Sequence, residues 1–474
     1  MRLLFLAHRY LGMAVGLLML MWCLSGVVMM YVSYPGLSER MRLEHLTPLE
    51  WRDCCKIAEA LAQSATAGKS QIEMLAGRPV LHLNSPSSPR PIDLLTGTAI
   101  DRIVADQAAT VAEQFSGGAQ NAPRLLGLID RDQWTVSGDF NADRPLFHFA
   151  LDDAARTELY VSSVTGRAVQ ITTAHQRFWN WLGAVPHWLY FSELRRNPSL
   201  WSQVVIYASL LGCFLTGIGI YLGLRQMAAQ PSARWSPYFG LNLWHHAAGL
   251  IFGIFSLSWV FSGLLSMNPW GWLEGDGSQS ESAAIQGAPD PSPARNSAAM
   301  SAVLKAFAES HIAAVSVQAA PMNGKPYFIA VGAQGMRQRF DAAAAVAPLT
   351  AADLSFLSNA LGGSQSPGTA QLISSEDNLY FSHHRDAVAL PVYRITLAGS
   401  GTRYYVDSVS GMLIAKFDLS AQSYRWLHQG LHRLDFTASL RARPQWDVLM
   451  LALMAGVTAV CGTGAYLGWR RLLR

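Results

Sequence analysis

The sequence predicts an integral membrane bundle of four transmembrane helices carrying two α+β extracytoplasmic domains, built by an internal parallel tandem duplication. Three observations predict it. Half of the 474 residues are hydrophobic and only 14% are charged, too apolar for an ordinary soluble chain. The apolar residues gather in four blocks, near 10–34, 200–224, 244–266 and 446–469. Each has about 20 or more mostly apolar residues, enough to cross a hydrocarbon core of ~30 Å. The chain also repeats itself. His8, Gly12, Gly16, Trp22, Ser25 and Gly26 match His245, Gly249, Gly253, Trp259, Ser262 and Gly263 at a constant offset of 237.

Residues 1–34 are read as the first span. The block is too long for a signal peptide, lacks a clear small-residue cleavage site, and has its counterpart in mid-chain. Residues 35–175 are long enough for a folded domain. Helical composition marks 49–64 and 104–115; strand patterning marks 78–83, 134–140, 145–151 and 157–162. The turn at Val164-Thr165-Gly166 calls for glycine at positive φ. Segment 176–198 is aromatic and amphipathic and is expected to lie as a short helix at the outer interface. A second span at 199–224, a short cytoplasmic loop at 225–243 and a third span at 244–266 follow.

Residues 267–422 hold a linker and the second domain. The stretch 275–298 is rich in Ser, Ala, Gly and Pro and reads as flexible. Helices are expected at 299–310 and 351–361, and strands at 326–331, 378–383, 391–398 and 402–407. Segments 116–123 and 362–370 read as loops. Segment 423–443 is the second interfacial helix, and 444–474 the fourth span with a cytoplasmic tail. The repeat runs through these regions. Asp132 matches Asp377, Tyr160 matches Tyr405, and Trp181, His187 and Phe191 match Trp426, His432 and Phe436, all at an offset of 245. Gly217, Gly219, Tyr221 and Gly223 match Gly462, Gly464, Tyr466 and Gly468 at the same offset. Both copies run in one direction, so the expected axis lies along the membrane normal.

Arg2, Arg225, Arg234, Arg470, Arg471 and Arg474 place the termini and short loop in the cytoplasm and both domains outside it. The net charge of +4 is spread thinly, with no basic run to bind nucleic acid. Cys23, Cys213 and Cys461 fall in the spans as small apolar groups. Cys54 and Cys55 are adjacent without a spaced partner, neither a zinc pattern nor a disulfide framework. There is no dinucleotide fingerprint, Walker loop or Cys-x-x-Cys-His haem-attachment motif, and no Ser-His-Asp or zinc-protease pattern. Any electron donor is therefore a quinol or a separate cytoplasmic protein.

Among 13 histidines, those in apolar helices are functional-site candidates. Tyr405-Val406-Asp407 with Ser410-Gly411, Arg425-Trp426-Leu427, Leu431-His432-Arg433-Leu434-Asp435-Phe436 and the His8-Arg9-Tyr10-Leu11-Gly12 opening resemble the PepSY-associated transmembrane proteins. The resemblance covers essentially the whole chain. The first copy departs from it: Ser162 stands for the turn Asp, and Pro186-His187-Trp188 for the Leu-His-Arg context. The resemblance implies PepSY-like periplasmic domains, non-covalent b-type haem held by histidines, the bacterial inner membrane, and, for some members, ferric-siderophore reductase activity.

His8 and His187 of one copy sit on opposite sides of the membrane, so pairing runs across copies. His8 with His245 would hold an inner haem and His187 with His432 an outer one, each a bis-imidazole electron-transfer centre. Gly12 and Gly16 share a helix face with His8, as Gly249 and Gly253 do with His245, and would let a macrocycle lie against backbone. The alternative is small-residue helix packing. His246 and His428 are alternative ligands or supporting groups, and Arg9 a propionate contact. Trp22 and Trp259 are read as packing residues between the pairs. His45, His82, His148, His175 and His311 lack matched histidines and are expected to be solvated or locally hydrogen-bonded. His383-His384-Arg385 is read as a solvated turn, alternatively a metal or anion site. The expected function is transmembrane electron transfer to an Fe(III)-siderophore. The rivals are a non-catalytic PepSY module binding a periplasmic partner or peptidase, and an accessory subunit of a metal or siderophore transporter.

Overall fold

The structure is a computed structural model describing residues 1–50, 56, 70–83, 90–117, 122–230, 234–287, 293–309, 313–363, 368–382 and 387–473. Cys54, Cys55, His311, His383, His384, Arg385 and most of 49–64 lie outside them. Four helices are long and apolar enough to span a membrane: Arg2–Met29, Pro198–Ala228, Leu241–Ser266 and Gln445–Leu472. The first stops at Met29, short of the expected 34. The second and third outrun their hydropathic blocks, to Ala228 and from Leu241, because helical hydrogen bonding continues into the polar flanks. Each span packs against two others in a ring, first on fourth, fourth on third, third on second and second on first. The first and third, which carry His8 and His245, therefore face each other across the bundle. Val15, Met19, Cys23, Met454 and Val457 are among the buried residues at its centre.

Between the first two spans come strands β1 (Ser70–Leu75), β2 (Arg78–Leu83), β3 (Ile92–Asp93), β4 (Thr98–Ala99), β5 (Arg124–Ile129), β6 (Leu146–Ala150), β7 (Glu158–Ser162) and β8 (Ala168–Thr172). Between the last two come β9 (Ala314–Ala319), β10 (Phe328–Gly332), β11 (Arg337–Phe340), β12 (Thr369–Ile373), β13 (Val392–Thr396), β14 (Arg403–Asp407) and β15 (Leu413–Phe417). Two four-stranded antiparallel sheets have the orders β5-β6-β7-β8 and β12-β13-β14-β15. Helix Ala105–Phe115 covers the first through Val111 and Phe115. Helix Ala351–Gly362 covers the second through Leu357 and Leu361. Each such side chain taken from water stabilises by ~1.5–3 kcal/mol.

The third sheet joins the two regions that the sequence divides into separate domains. Its order is β11-β10-β9-β1-β2-β3-β4, with β1 antiparallel to β9 through Gln71↔Gln318, Ile72↔Val317 and Glu73↔Ser316. The stretch read as a flexible linker instead forms helix Gln279–Gln286 and the start of helix Pro293–Glu309. The latter buries Met300, Val303, Leu304 and Phe307 on this sheet. Its Ala-rich composition favours helix, and the sheet supplies an apolar face to cover.

Strand patterning misleads at 134–140 and 378–383. Asp132 accepts hydrogen bonds from the Trp134 and Thr135 N–H groups, and Asp377 from those of Leu379 and Tyr380. These side-chain-capped turns bury Trp134 and Tyr380 without a ladder. The second oxygen of each Asp accepts a hydrogen bond from a buried Tyr, Tyr160 and Tyr405 respectively, both at 2.7 Å. The edge strands β5 and β12 come earlier in the chain than expected.

Glu73 on β1 is 2% exposed. It is bound by Arg42 at 2.6 Å and Arg167 at 3.0 Å, with His82 3.9 Å away. Thus His82 is buried rather than solvated. Burial pushes the Glu73 carboxyl up, but the guanidinium groups of Arg167 and Arg42 outweigh it and hold it down at about 2. Its folded pKa lies below the unfolded one, so its stabilisation is present above the ordinary glutamate range and lost as pH falls toward 2. Glu73→Gln should cost about 1–3 kcal/mol by leaving the partly buried Arg167 without its carboxylate and Arg42 with Glu39 alone. Thermal unfolding in detergent should show this loss at neutral pH and less additional acid sensitivity below pH 4 than in the parent.

Candidate functional site

The membrane bundle brings together two histidine pairs. The His8 and His245 ring centres are 6.3 Å apart, and those of His187 and His432 are 6.1 Å apart. His187 ends the short helix Ala184–His187 and His432 lies in Leu431–Arg433. His187 turns onto Trp22 and Ser25 of the first span, and His432 onto Ser262 of the third. The second segment is not one helix across 423–443. Helix Leu419–Tyr424 passes into a π-helical turn, Arg425–Gly430, which brings His428 to 5.5 Å from His432. Ser25 follows His8, and Ser262 follows His245, by 17 residues, so the pairs lie roughly 25 Å apart along the bundle.

Each pair lines a cavity. That around His8 and His245 measures about 770 Å³ and includes Gly12, Gly16, Gly249 and Gly253. A Cβ at Gly16 or Gly249 would meet nothing within 4 Å, whereas at Gly253 it would lie 2.9 Å from Ile220. Gly16 and Gly249 thus face open space, and Gly253 serves helix packing. Arg9 lines this cavity with Arg470 and Arg471. The cavity around His187 and His432 measures about 450 Å³ and includes Trp22, Trp259, His428 and Arg433. Met19, Ser256 and Cys461 border both cavities. No carboxylate lines either cavity among the described residues.

The hydrogen bonds distinguish the histidines. His187 Nδ1 faces the Trp22 carbonyl at 3.0 Å, and a carbonyl only accepts, so that nitrogen carries the proton. His432 Nδ1 meets Ser262 Oγ at 3.0 Å, and His245 Nδ1 meets Thr463 Oγ1 at 3.0 Å. His8 Nδ1 is buried by the backbone of Leu215 without a hydrogen bond of ordinary geometry. In all four, Nδ1 is turned to protein and no Nε2 hydrogen bond occurs among the described residues. His246 is different: Nδ1 meets Ser236 Oγ at 2.7 Å and Nε2 meets the Gly223 carbonyl at 2.9 Å. Both ring nitrogens are engaged, so His246 is no alternative ligand here but a clamp between the loop, the second span and the third. His428 donates from Nδ1 to the Ser262 carbonyl at 2.9 Å and supports its neighbour.

Several site residues escape a reading based on histidine alone. A Cβ on Gly219 would lie 2.8 Å from His8 Cε1, and one on Gly464 3.0 Å from His245 Cε1. At the other layer, Gly26 would place it 3.4 Å from His187 Cε1 and Gly263 3.9 Å from His432 Cε1. Each imidazole therefore leans on a bare glycine of a neighbouring helix. The signal was present in the matched Gly-rich runs and the matched Ser-Gly pairs. Thr463 and Ser236 gave none, having no matched hydroxyl.

Among the described residues no group of three or more His, Cys, Asp or Glu is placed to hold a metal ion. A bare ion takes three or four protein ligands; two imidazoles suffice only where a macrocycle fills the remaining positions on iron. Two ligand bonds of about 2 Å, with the half-widths of the rings, put imidazole centres roughly 6 Å apart. Pair spacing, free Nε2 atoms, open glycine faces and cavity arginines all fit b-type haem.

Fold and site define a multi-pass membrane protein with α+β regions attached to its four-helix bundle. Residues 5–471 match the family described as PepSY-associated TM region, and the chain belongs to that family. A stretch of 49 residues is 41% identical to proteins named "Probable rhamnogalacturonase E" from Aspergillus oryzae and Aspergillus flavus. It covers 10% of this chain and 11% of each of theirs, too little to carry fold or activity.

Replacing His246 by Ala removes its hydrogen bonds to the Ser236 hydroxyl, which keeps only the Tyr238 N–H, and to the Gly223 carbonyl. It should cost about 1–3 kcal/mol, read as a lower unfolding temperature. Ser236→Ala should lower it too, by less, and the double variant should cost less than the sum of the two.

Proposed function

We propose that this protein transfers electrons across the bacterial inner membrane through two non-covalent b-type haems and reduces an Fe(III)-siderophore in the periplasm. The observation that carries this reading is the pairing of four histidines, across the two halves of the chain, into two sites of bis-imidazole spacing with free Nε2 atoms. Bound there, haem would supply reversible one-electron carriage, and Fe(III) reduced to Fe(II) is held less tightly by hard oxygen ligands.

The residues have separable tasks. His8 and His245 would hold one macrocycle from opposite spans, and His187 and His432 the other. Gly16 and Gly249 leave room for a flat face. Arg9, Arg470 and Arg471 offer cations for propionates at the end of the bundle bearing both termini. Trp22 and Trp259 wall the other cavity. Met19, Ser256 and Cys461 form the partition between the two cavities. The arginines near the termini and the short loop support N-in, C-in topology with periplasmic sheets. The equal orders of the two four-stranded sheets and the Asp–Tyr turn in each support tandem duplication. Quinol or a cytoplasmic protein would supply the electrons.

Detergent-purified protein, expressed with haem supplied, should show reduced-minus-oxidised bands of two low-spin b haems by pyridine haemochrome count. His8→Ala and His432→Ala should each remove a different one. Reduced protein should be reoxidised by Fe(III)-siderophore. Protein that folds without haem refutes this proposal.

A further inference from the structure

Three hydroxyl groups stand behind the histidines, and the direction of their hydrogen bonds can be deduced. Ser25 Oγ lies 2.7 Å from the Met21 carbonyl and 3.1 Å from that of Trp22. Ser262 Oγ lies 3.1 Å from the Trp259 carbonyl. Thr463 Oγ1 lies 2.5 Å from the Ala459 carbonyl. In an apolar helix the hydroxyl proton goes to its own preceding turn, and a hydroxyl has only one. Each oxygen is therefore left as an acceptor toward its histidine: Ser25 to His187 at 3.2 Å, sharing that N–H with the Trp22 carbonyl, Ser262 to His432 at 3.0 Å and Thr463 to His245 at 3.0 Å. The acceptor keeps the proton on Nδ1 and the lone pair on Nε2. It also aims the ring, and by drawing on the N–H it makes the imidazole a stronger electron donor to a metal.

The fourth histidine lacks this support. Thr463 immediately precedes Gly464, on which His245 leans; Ile218 immediately precedes Gly219, on which His8 leans. An isoleucine stands where the other half has a hydroxyl, and His8 Nδ1 is left with the Leu215 backbone nearby and no hydrogen bond of ordinary geometry. The two members of one pair thus differ in donor strength, while both members of the other have a serine.

We infer that Ser25, Ser262 and Thr463 are positioning residues that fix the ligating nitrogen of His187, His432 and His245 and lower the reduction potential of the group each holds, and that Ile218 withholds this effect from His8. The inference rests on the haem reading above. Spectroelectrochemical titration and low-spin EPR of the purified holoprotein test it. Thr463→Val should move the midpoint of the haem that His8→Ala removes to more positive potential, changing its reduction equilibrium by roughly tenfold, about 59 mV for one electron. Thr463→Ser should restore it, and Ile218→Thr should move the same midpoint the opposite way. Ser262→Ala should raise the other haem's midpoint and leave the first unmoved. If Thr463→Val fails to retain haem, Thr463→Ser and Ile218→Thr decide the matter. Two haems per chain with midpoints and g-values equal to the parent's in every haem-retaining variant overturn the inference and leave the haem reading standing. A parent protein without haem overturns the haem reading itself.

Discussion

An imidazole placed among apolar helices must have its N–H accepted by protein, and much of the bundle follows from that constraint. Water is scarce at that depth, and an unpartnered polar group there is costly. His187 meets it through the Trp22 carbonyl one turn below Gly26, and His432 through the Ser262 hydroxyl beside Gly263. His245 meets it through Thr463, beside Gly464. At three of the four histidines the glycine and the acceptor come together; at His8 the glycine is present and the hydroxyl is not. The four spans close into a ring because two of them carry rings and the others carry the surfaces those rings need.

The same constraint explains which polar groups became ligand candidates and which became structure. His246 adjoins His245 in sequence and is buried in the same cavity wall. Its two nitrogens are taken by Ser236 and Gly223, so it ties the cavity wall to the loop and the second span. Sequence adjacency made the two look interchangeable; helical geometry sets them about 100° apart, one facing the bundle axis and one the second span.

The periodic and repeated features were legible in the sequence. Long apolar blocks gave the spans to within a few residues, and the constant offsets showed which histidines come in matched sets. Features fixed by a distant partner were not legible. The strand expected at 134–140 is a turn because one carboxylate caps two consecutive N–H groups, a local competition that alternation does not register. The expected linker is largely helical because a sheet made partly of much earlier residues offers it an apolar surface. In the site, histidines stand out by rarity, but the glycines they lean on carry no side chain to mark them, and Thr463 stands out only where Ile218 fails to match it.

The pairing of β1 with β9 also imposes an order on biogenesis. Strand β1 emerges about 240 residues before its partner, which at 5–20 residues per second is roughly 10–50 s of synthesis. Throughout that interval the sheet ends in an open edge, with Glu73 at its rim and two further spans still to be inserted. An exposed edge is a template for wrong partners. Glu73 and its partners Arg42 and Arg167 all belong to the first half, and β9 sets the small Ser316 opposite Glu73, so a strand with a bulky apolar side chain there is a poor substitute. The nascent first half is therefore held open, and selective, until the second arrives.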